Sequence, residues 1–187
     1  MSLPFIRNFL FSLVFTVLLI VFGFIVIPIS GTAYFIFQSM IVMLAGGLLG
    51  ARWGAFSVLI WILLAVSGLP VLSGGIGGLV ILQSPAGGYI LGYLVSAFLI
   101  GGMVRIAGNR VSWLSLFFIY AIGGIGVINI VSICWFWFVM HVSIDLKTFL
   151  QSFVSFLPYE LVKVVLAVVL TLVIYKALPA LSPKGRS

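Results

Sequence analysis

Glu160 and Lys163 stand three residues apart inside an apolar run from Phe153 to Leu178. Residues at i and i+3 share one helix face, so this acid and this base can address the same point. The chain has only two acidic residues in 187. A charge in a membrane-length segment costs about 2.5–3.5 kcal/mol on insertion scales, and buried ion pairs add little net stability. Two readings follow. In one, the pair binds a polar solute: the carboxylate accepts from N–H groups and the ammonium meets a carboxylate. In the other, the two charges neutralise each other and lock two helices of a structural or assembly membrane protein.

A second group of residues faces the same way. Gly74, Gly75, Gly77 and Gly78 surround Ile76 after Leu69-Pro70, and Gln83, Ser84, Pro85, Gly87, Gly88 and Tyr89 follow. Glycine reaches positive φ and lets backbone approach a ligand closely; read blandly, the same loop is a connector. Proline suits the first turn of a helix. Tyr89 offers an aromatic face and a hydroxyl to an amphiphilic ligand.

Catalysis finds little support. The single His141 follows a long apolar run, with Asp145 in the adjacent loop and no second histidine or nearby cysteine to complete a metal site. The two acids lie on separate segments. There is no G-x-x-x-x-G-K-[ST] phosphate loop and no serine backed by a base within the apolar runs. The chain reads as a non-enzyme without a cofactor of its own.

The elements that must position these residues are membrane helices. The composition is 64% hydrophobic and 6% charged, against about 25% charged in soluble domains. A spanning helix takes about 20 apolar residues, and six runs are legible: 4–27, 34–49, 53–66, 86–106, 113–142 and 153–178. Together they predict one all-α transmembrane domain over 1–187, multi-pass in the cell membrane. Pro28 and Ser30-Gly31 close the first run, and Gly50 with Arg52 separates the second from the third. Gly123, Gly124 and Gly126 offer a kink in the fifth. Pro158 is expected in the first turn or two of the sixth.

The net charge of +7 comes from single basic residues scattered between apolar runs, which form no nucleic-acid stripe. With six spans both termini share a side. Arg7, Arg52, Arg105, Arg110, Lys176, Lys184 and Arg186 fall on it, and Lys147 on the other. This bias names the terminal side cytoplasmic, so the glycine-rich loop and the start of the sixth helix face outward. Small-xxx-small spacings, Gly46/Gly50/Gly54 and Gly88/Gly92/Ser96, predict close helix packing inside the bundle. Ser12 and Thr16 are a weaker version on the first helix, open to an external partner.

The run Leu44-Ala45-Gly46-Gly47-Leu48-Leu49-Gly50-Ala51-Arg52-Trp53-Gly54 resembles the second-to-third helix junction of the BioY family. Gly68-Leu69-Pro70-Val71, the Gly74 to Leu79 loop and Ser84-Pro85-Ala86-Gly87-Gly88-Tyr89-Ile90-Leu91-Gly92 resemble that family's most specific signature. Phe156-Leu157-Pro158-Tyr159-Glu160-Leu161-Val162-Lys163 resembles its sixth-helix motif, F-L-P-G-D-x-x-K.

The resemblance implies a six-helix S-component fold, the biotin-binding subunit of an energy-coupling-factor (ECF) transporter. Its expected partners are biotin, a transmembrane coupling subunit, ATPase subunits and membrane lipid, with self-association as a further possibility. By that likeness Glu160, in place of the usual aspartate, serves the ureido ring, and Lys163 serves the polar groups of the ligand. Gly75, Gly77, Gly78 and Tyr89 match the loop and helix start that enclose the bicyclic ring, and Gln38 matches a glutamine of the second helix. Tyr159 for glycine, Ala86 for threonine and the added methylene of Glu160 are departures. They leave open an S component for a related small vitamin.

Overall fold

The computed structural model describes residues 3–30, 33–141 and 146–183. They form mostly helix: α1 (Leu3–Gly23), α2 (Gln38–Val66), α3 (Ala86–Ala107), α4 (Trp113–Tyr120), α5 (Val127–Phe138) and α6 (Leu146–Ala177). Among the described residues, five helical stretches are long and apolar enough to cross a membrane, with α4 and α5 joined in one of them. Lys184 and Arg186 lie outside the described residues, as do Gly31, Val142 and Asp145.

The first expected span ends early. Helix α1 stops at Gly23, and β1 (Val26–Ser30) pairs antiparallel with β2 (Ala33–Ile36). The residues read as the end of one span and the start of the next therefore form a hairpin. Val26 and Ile27 are β-branched and favour extended backbone. Pro28 lacks an N–H, which is harmless in a two-stranded sheet where each strand has a free edge. The register shifts between Pro28 and Ser30.

Helix α2 contains both the second and the third expected span. Gly50, at φ 81 and ψ 177, breaks it. A methyl group placed on Gly54 would lie 2.7 Å from the Ala45 carbonyl oxygen and 2.9 Å from the Gly46 Cα. Nine residues of straight helix would separate these positions by about 13.5 Å, so the chain doubles back at Gly50. The first half, Gln38–Leu49, is buried on every side and forms the axis of the bundle. The second half buries one face, through Gly54, Ser57, Val58, Trp61, Ile62 and Ala65, the stripe of a helix at the bundle surface.

The expected kink between α4 and α5 is a π-helical segment, Ala121–Gly126. Its glycines let a wide turn pass closely: a methyl group on Gly123 would lie 2.7 Å from the Met103 Cε, and one on Gly124 would run into Met43. Helix α6 begins at Leu146, well before the expected Phe153, so Pro158 is inside the helix and not in its first turns. The early turns carry Lys147, Thr148, Gln151 and Ser152, which a hydropathy reading excludes.

The small-residue faces pack internally. Gly88 lies against Ser132 and Gly92 against Ile128, which sets α3 and α5 side by side and antiparallel. Ser12 and Thr16 are buried too. Their hydroxyls donate to the Trp53 carbonyl at 3.1 Å and the Ser57 carbonyl at 2.9 Å on α2. They hold α1 to the bundle and are not presented to an outside partner, because each hydroxyl finds its acceptor on the neighbouring helix.

The bundle has two chemically different ends. At one, Phe5 meets Trp53 edge-on at 5.2 Å, Gly101 crosses Gly50–Ala51, and the Tyr175 hydroxyl donates to the Gly47 carbonyl at 2.8 Å. Arg7, Arg52, Arg105 and Lys176 belong to this end. The other end carries the hairpin, the glycine-rich loop and the part of α6 around Glu160.

Candidate functional site

At the hairpin end lies a cavity of about 610 Å³, within the 300–1,000 Å³ range of small-molecule sites. Helix α6 contributes Glu160 and Lys163, α2 contributes Ser39 and Trp61, and α3 contributes Tyr89 and Tyr93. Most of the remaining wall is apolar, including Ile76 of the glycine-rich loop and Phe153 and Phe156 of α6.

The Lys163 ammonium donates to Glu160 Oε1 at 2.5 Å and to Ser39 Oγ at 3.2 Å, and sits 4.9 Å above the Phe35 ring. The side chain of Lys163 is 5% exposed and that of Glu160 25%. This difference decides which group is available. Lysine has three N–H donors, and two are engaged. The carboxylate gives one oxygen to Lys163 and has acceptor capacity left on the other. Both charges are on α6, so the pair itself cannot lock two helices; the bridge from α6 to α2 is the hydrogen bond to Ser39.

The structure brings together Glu160, Lys163, Tyr89 and Gln38 in the cavity wall. Tyr89 is 43% exposed, a position at the mouth. Gln38 is already engaged: its amide donates to the Leu19 carbonyl at 3.1 Å and its carbonyl accepts from Ser73 Oγ at 2.7 Å. It ties α1, α2 and the loop together. Gly75, Gly77 and Gly78 do not line the cavity themselves; Ile76 between them does. Gln83 also stays outside the wall and is exposed. From this stretch the wall takes Val80 and Ile81 of the 3₁₀ turn Leu79–Gln83 and Ser84 just after it.

The loop is held by its backbone. Gly75 (φ 72) donates its N–H to the Leu72 carbonyl, Leu72 donates to Ile76, and Gly78 (φ 104) donates to Ala65 of α2. Gly77 is not among the glycines with positive φ. Its need is space, since an added methyl group would run into the carbonyl of Leu69. Gly77→Val is expected to push Ile76 out of the wall and weaken ligand binding by about tenfold or more while the helices stay folded, because overpacking costs about 1–3 kcal/mol. A titration on the folded variant checks it; unchanged affinity would make the loop a connector only.

Sequence reasoning missed Ser39, Ser73, Trp61, Tyr93 and Asn129. Trp61 donates its indole N–H to the Val71 carbonyl at 3.0 Å and tilts against Tyr93 at 6.0 Å. Asn129 carried a readable signal, an amide alone in the apolar run of α5. The serines carried none, because Ser39 acts through Lys163 and Ser73 through Gln38 across the fold.

A multi-pass helical bundle with one end-on cavity, apolar walls and an intramembrane acid–base pair defines a solute-binding membrane protein. The comparisons with known proteins narrow this class. The sequence pattern of the BioY family matches residues 1–180, and the chain belongs to that family. It is 40% identical over 166 residues to the biotin transporter BioY of Rhizobium etli, covering 84% of each chain. It is 37% identical over 150 residues to the biotin transporter BioY of Lactococcus lactis, covering 79% of this chain and 75% of the relative. Among solved structures, the S-component for biotin from an ECF-type ABC transporter superposes with a TM-score of 0.83 at 34% identity, over 94% of this chain and 95% of that one.

Proposed function

We propose that the chain is the biotin-binding membrane subunit of an ECF-type uptake transporter, and that biotin sits in the cavity beside Glu160. The carrying observation is the free capacity of the Glu160 carboxylate in a mostly apolar wall. An ionised carboxylate accepts N–H groups strongly, and a cyclic urea offers two of them. Lys163, fixed by Ser39, holds the carboxylate in place and turns its remaining N–H toward the polar groups of the ligand. Tyr89 at the mouth and Ile76 of the loop cover the ring system. Biotin is cargo here, and no cofactor is needed. Titration of the purified protein with radiolabelled biotin tests the reading: saturable binding supports it. Absence of binding, with a different vitamin co-purifying, would turn it toward that vitamin.

Energy for uptake comes from partners in this reading, a transmembrane coupling subunit and ATPase subunits; self-association is an alternative assembly. The whole chain forms one transmembrane domain. The reversal at Gly50 supports six crossings, and the basic end of the bundle supports cytoplasmic termini by the positive-inside rule. In a Cys134→Ala background, a cysteine at the exposed Leu79 is expected to react with an impermeant thiol reagent on intact cells, and one at Ser187 only after lysis. The reverse pattern would invert the orientation.

A further inference from the structure

We infer that Asn129 of α5 is a second hydrogen-bond acceptor for the ligand, taking an N–H of a cyclic urea on a different helix from Glu160. The inference rests on the biotin reading above and adds to it a residue outside the acid–base pair. Asn129 lines the cavity, and its side-chain amide donates to the Ile125 carbonyl at 2.7 Å. That bond fixes which way the amide points, since the reversed orientation would set two oxygens against each other. The side-chain carbonyl is left without a donor among the described residues. An amide in an apolar membrane helix is costly to leave half-satisfied, and a ligand N–H in the cavity is the partner of matching chemistry.

The backbone builds this position. The π-helical segment Ala121–Gly126 ends three residues before Asn129, and its Gly124 and Ile125 also line the cavity. A π turn changes the rotation of the helix that follows it, and such turns concentrate at functional sites. The antiparallel seam of Gly88 with Ser132 and Gly92 with Ile128 then sets Asn129 beside the Tyr89–Tyr93 face of α3. Tyr93 lines the same cavity, and its hydroxyl has no hydrogen-bond partner among the described residues. This wall therefore offers an acceptor and a hydroxyl, while α6 offers a carboxylate and an ammonium. A urea, with two N–H groups and one carbonyl, can use both walls.

The test measures affinities for biotin and for its two ureido N-methyl isomers, on the purified parent, Asn129→Leu, Asn129→Asp and Glu160→Gln. A parent that fails to bind biotin at all overturns the biotin reading and is seen as such before any variant is compared. With a parent that binds, each methyl isomer is expected to be weaker by about tenfold or more, since each loses one accepted N–H. An isomer within about threefold of biotin would overturn the inference without any variant. Asn129→Leu is expected to weaken biotin by about tenfold and to become indifferent to methylation at one nitrogen, with Glu160→Gln indifferent at the other. Asn129→Asp keeps an acceptor oxygen in either protonation state and is expected to stay within about threefold of the parent. Equal losses for biotin and both isomers in Asn129→Leu would make Asn129 a packing residue and end the inference. Should the leucine variant not fold, a folded Asn129→Asp that loses biotin by about tenfold or more would end it too.

Discussion

Glu160→Gln is expected to weaken biotin on the order of ten- to a hundredfold, because it keeps the shape of the side chain and removes the charge from the acceptor. Hydrogen bonds to charged groups contribute about 1.5–3 kcal/mol. Lys163→Met is expected to weaken biotin as well. The ammonium orients the carboxylate from 2.5 Å and anchors α6 to Ser39 of α2, so this variant disturbs both. If the remaining N–H of Lys163 meets the ligand carboxylate, the loss is smaller for an analogue lacking that group. A purely structural role for the Glu160–Lys163 pair and its bridge to Ser39 makes a different forecast. There each single change strands a buried charge and lowers thermal stability, whereas Glu160→Gln combined with Lys163→Met restores it, and binding is incidental. Thermal shift and biotin titration on the three variants separate the two. A double variant that binds biotin as tightly as the parent would remove this pair from the site.

What was legible in the sequence was whatever broke a strong pattern. Charges inside an apolar run exposed Glu160 and Lys163, and three glycines in a long span exposed the π-helical kink. Gly50 likewise announced the break within α2. The hairpin after α1 was hidden, because the runs on either side of Ser30-Gly31-Thr32 are short and apolar, and a short apolar run suits strand or helix equally well. The start of α6 was hidden for the opposite reason: its first turns are polar, and hydropathy sees only the membrane-length part. Gln38 shows a third limit. Its type and place in the family pattern marked it as a ligand residue, and it does line the cavity, but its amide also donates to Leu19 and accepts from Ser73 within the protein. Only the fold shows which polar atoms already have partners. Gln83 and Ser84 are neighbours in the chain and only Ser84 lines the cavity, a distinction that composition cannot carry.

The largest expected loss of stability comes from a glycine remote from the site. Gly101 of α3 crosses the reversal in α2, and a methyl group there would press on the Gly50 carbonyl carbon and the Ala51 nitrogen, with the Ala51 Cα at 2.6 Å. Those neighbours are backbone atoms, so no side chain can rotate away. They also belong to the turn that lets the two halves of α2 pack together. Lipid supplies no hydrophobic drive between helices, and close backbone contact has to supply the attraction. Gly101→Val is therefore expected to destabilise by about 3 kcal/mol or more and to lower the Tm steeply. Biotin binding is expected to be lost along with the fold and to recover in whatever fraction stays folded. Gly102 is the internal control. A methyl group there meets nothing within 4 Å, and alanine is the better helix former by about 1 kcal/mol. Gly102→Ala is expected to hold or slightly raise the Tm with biotin affinity unchanged. If Gly101→Val melted within about 2 °C of the parent, a shift of no more than about 1 kcal/mol for a chain of this size, the α2–α3 crossing would have slack. The glycines along it would then be there for something other than close approach.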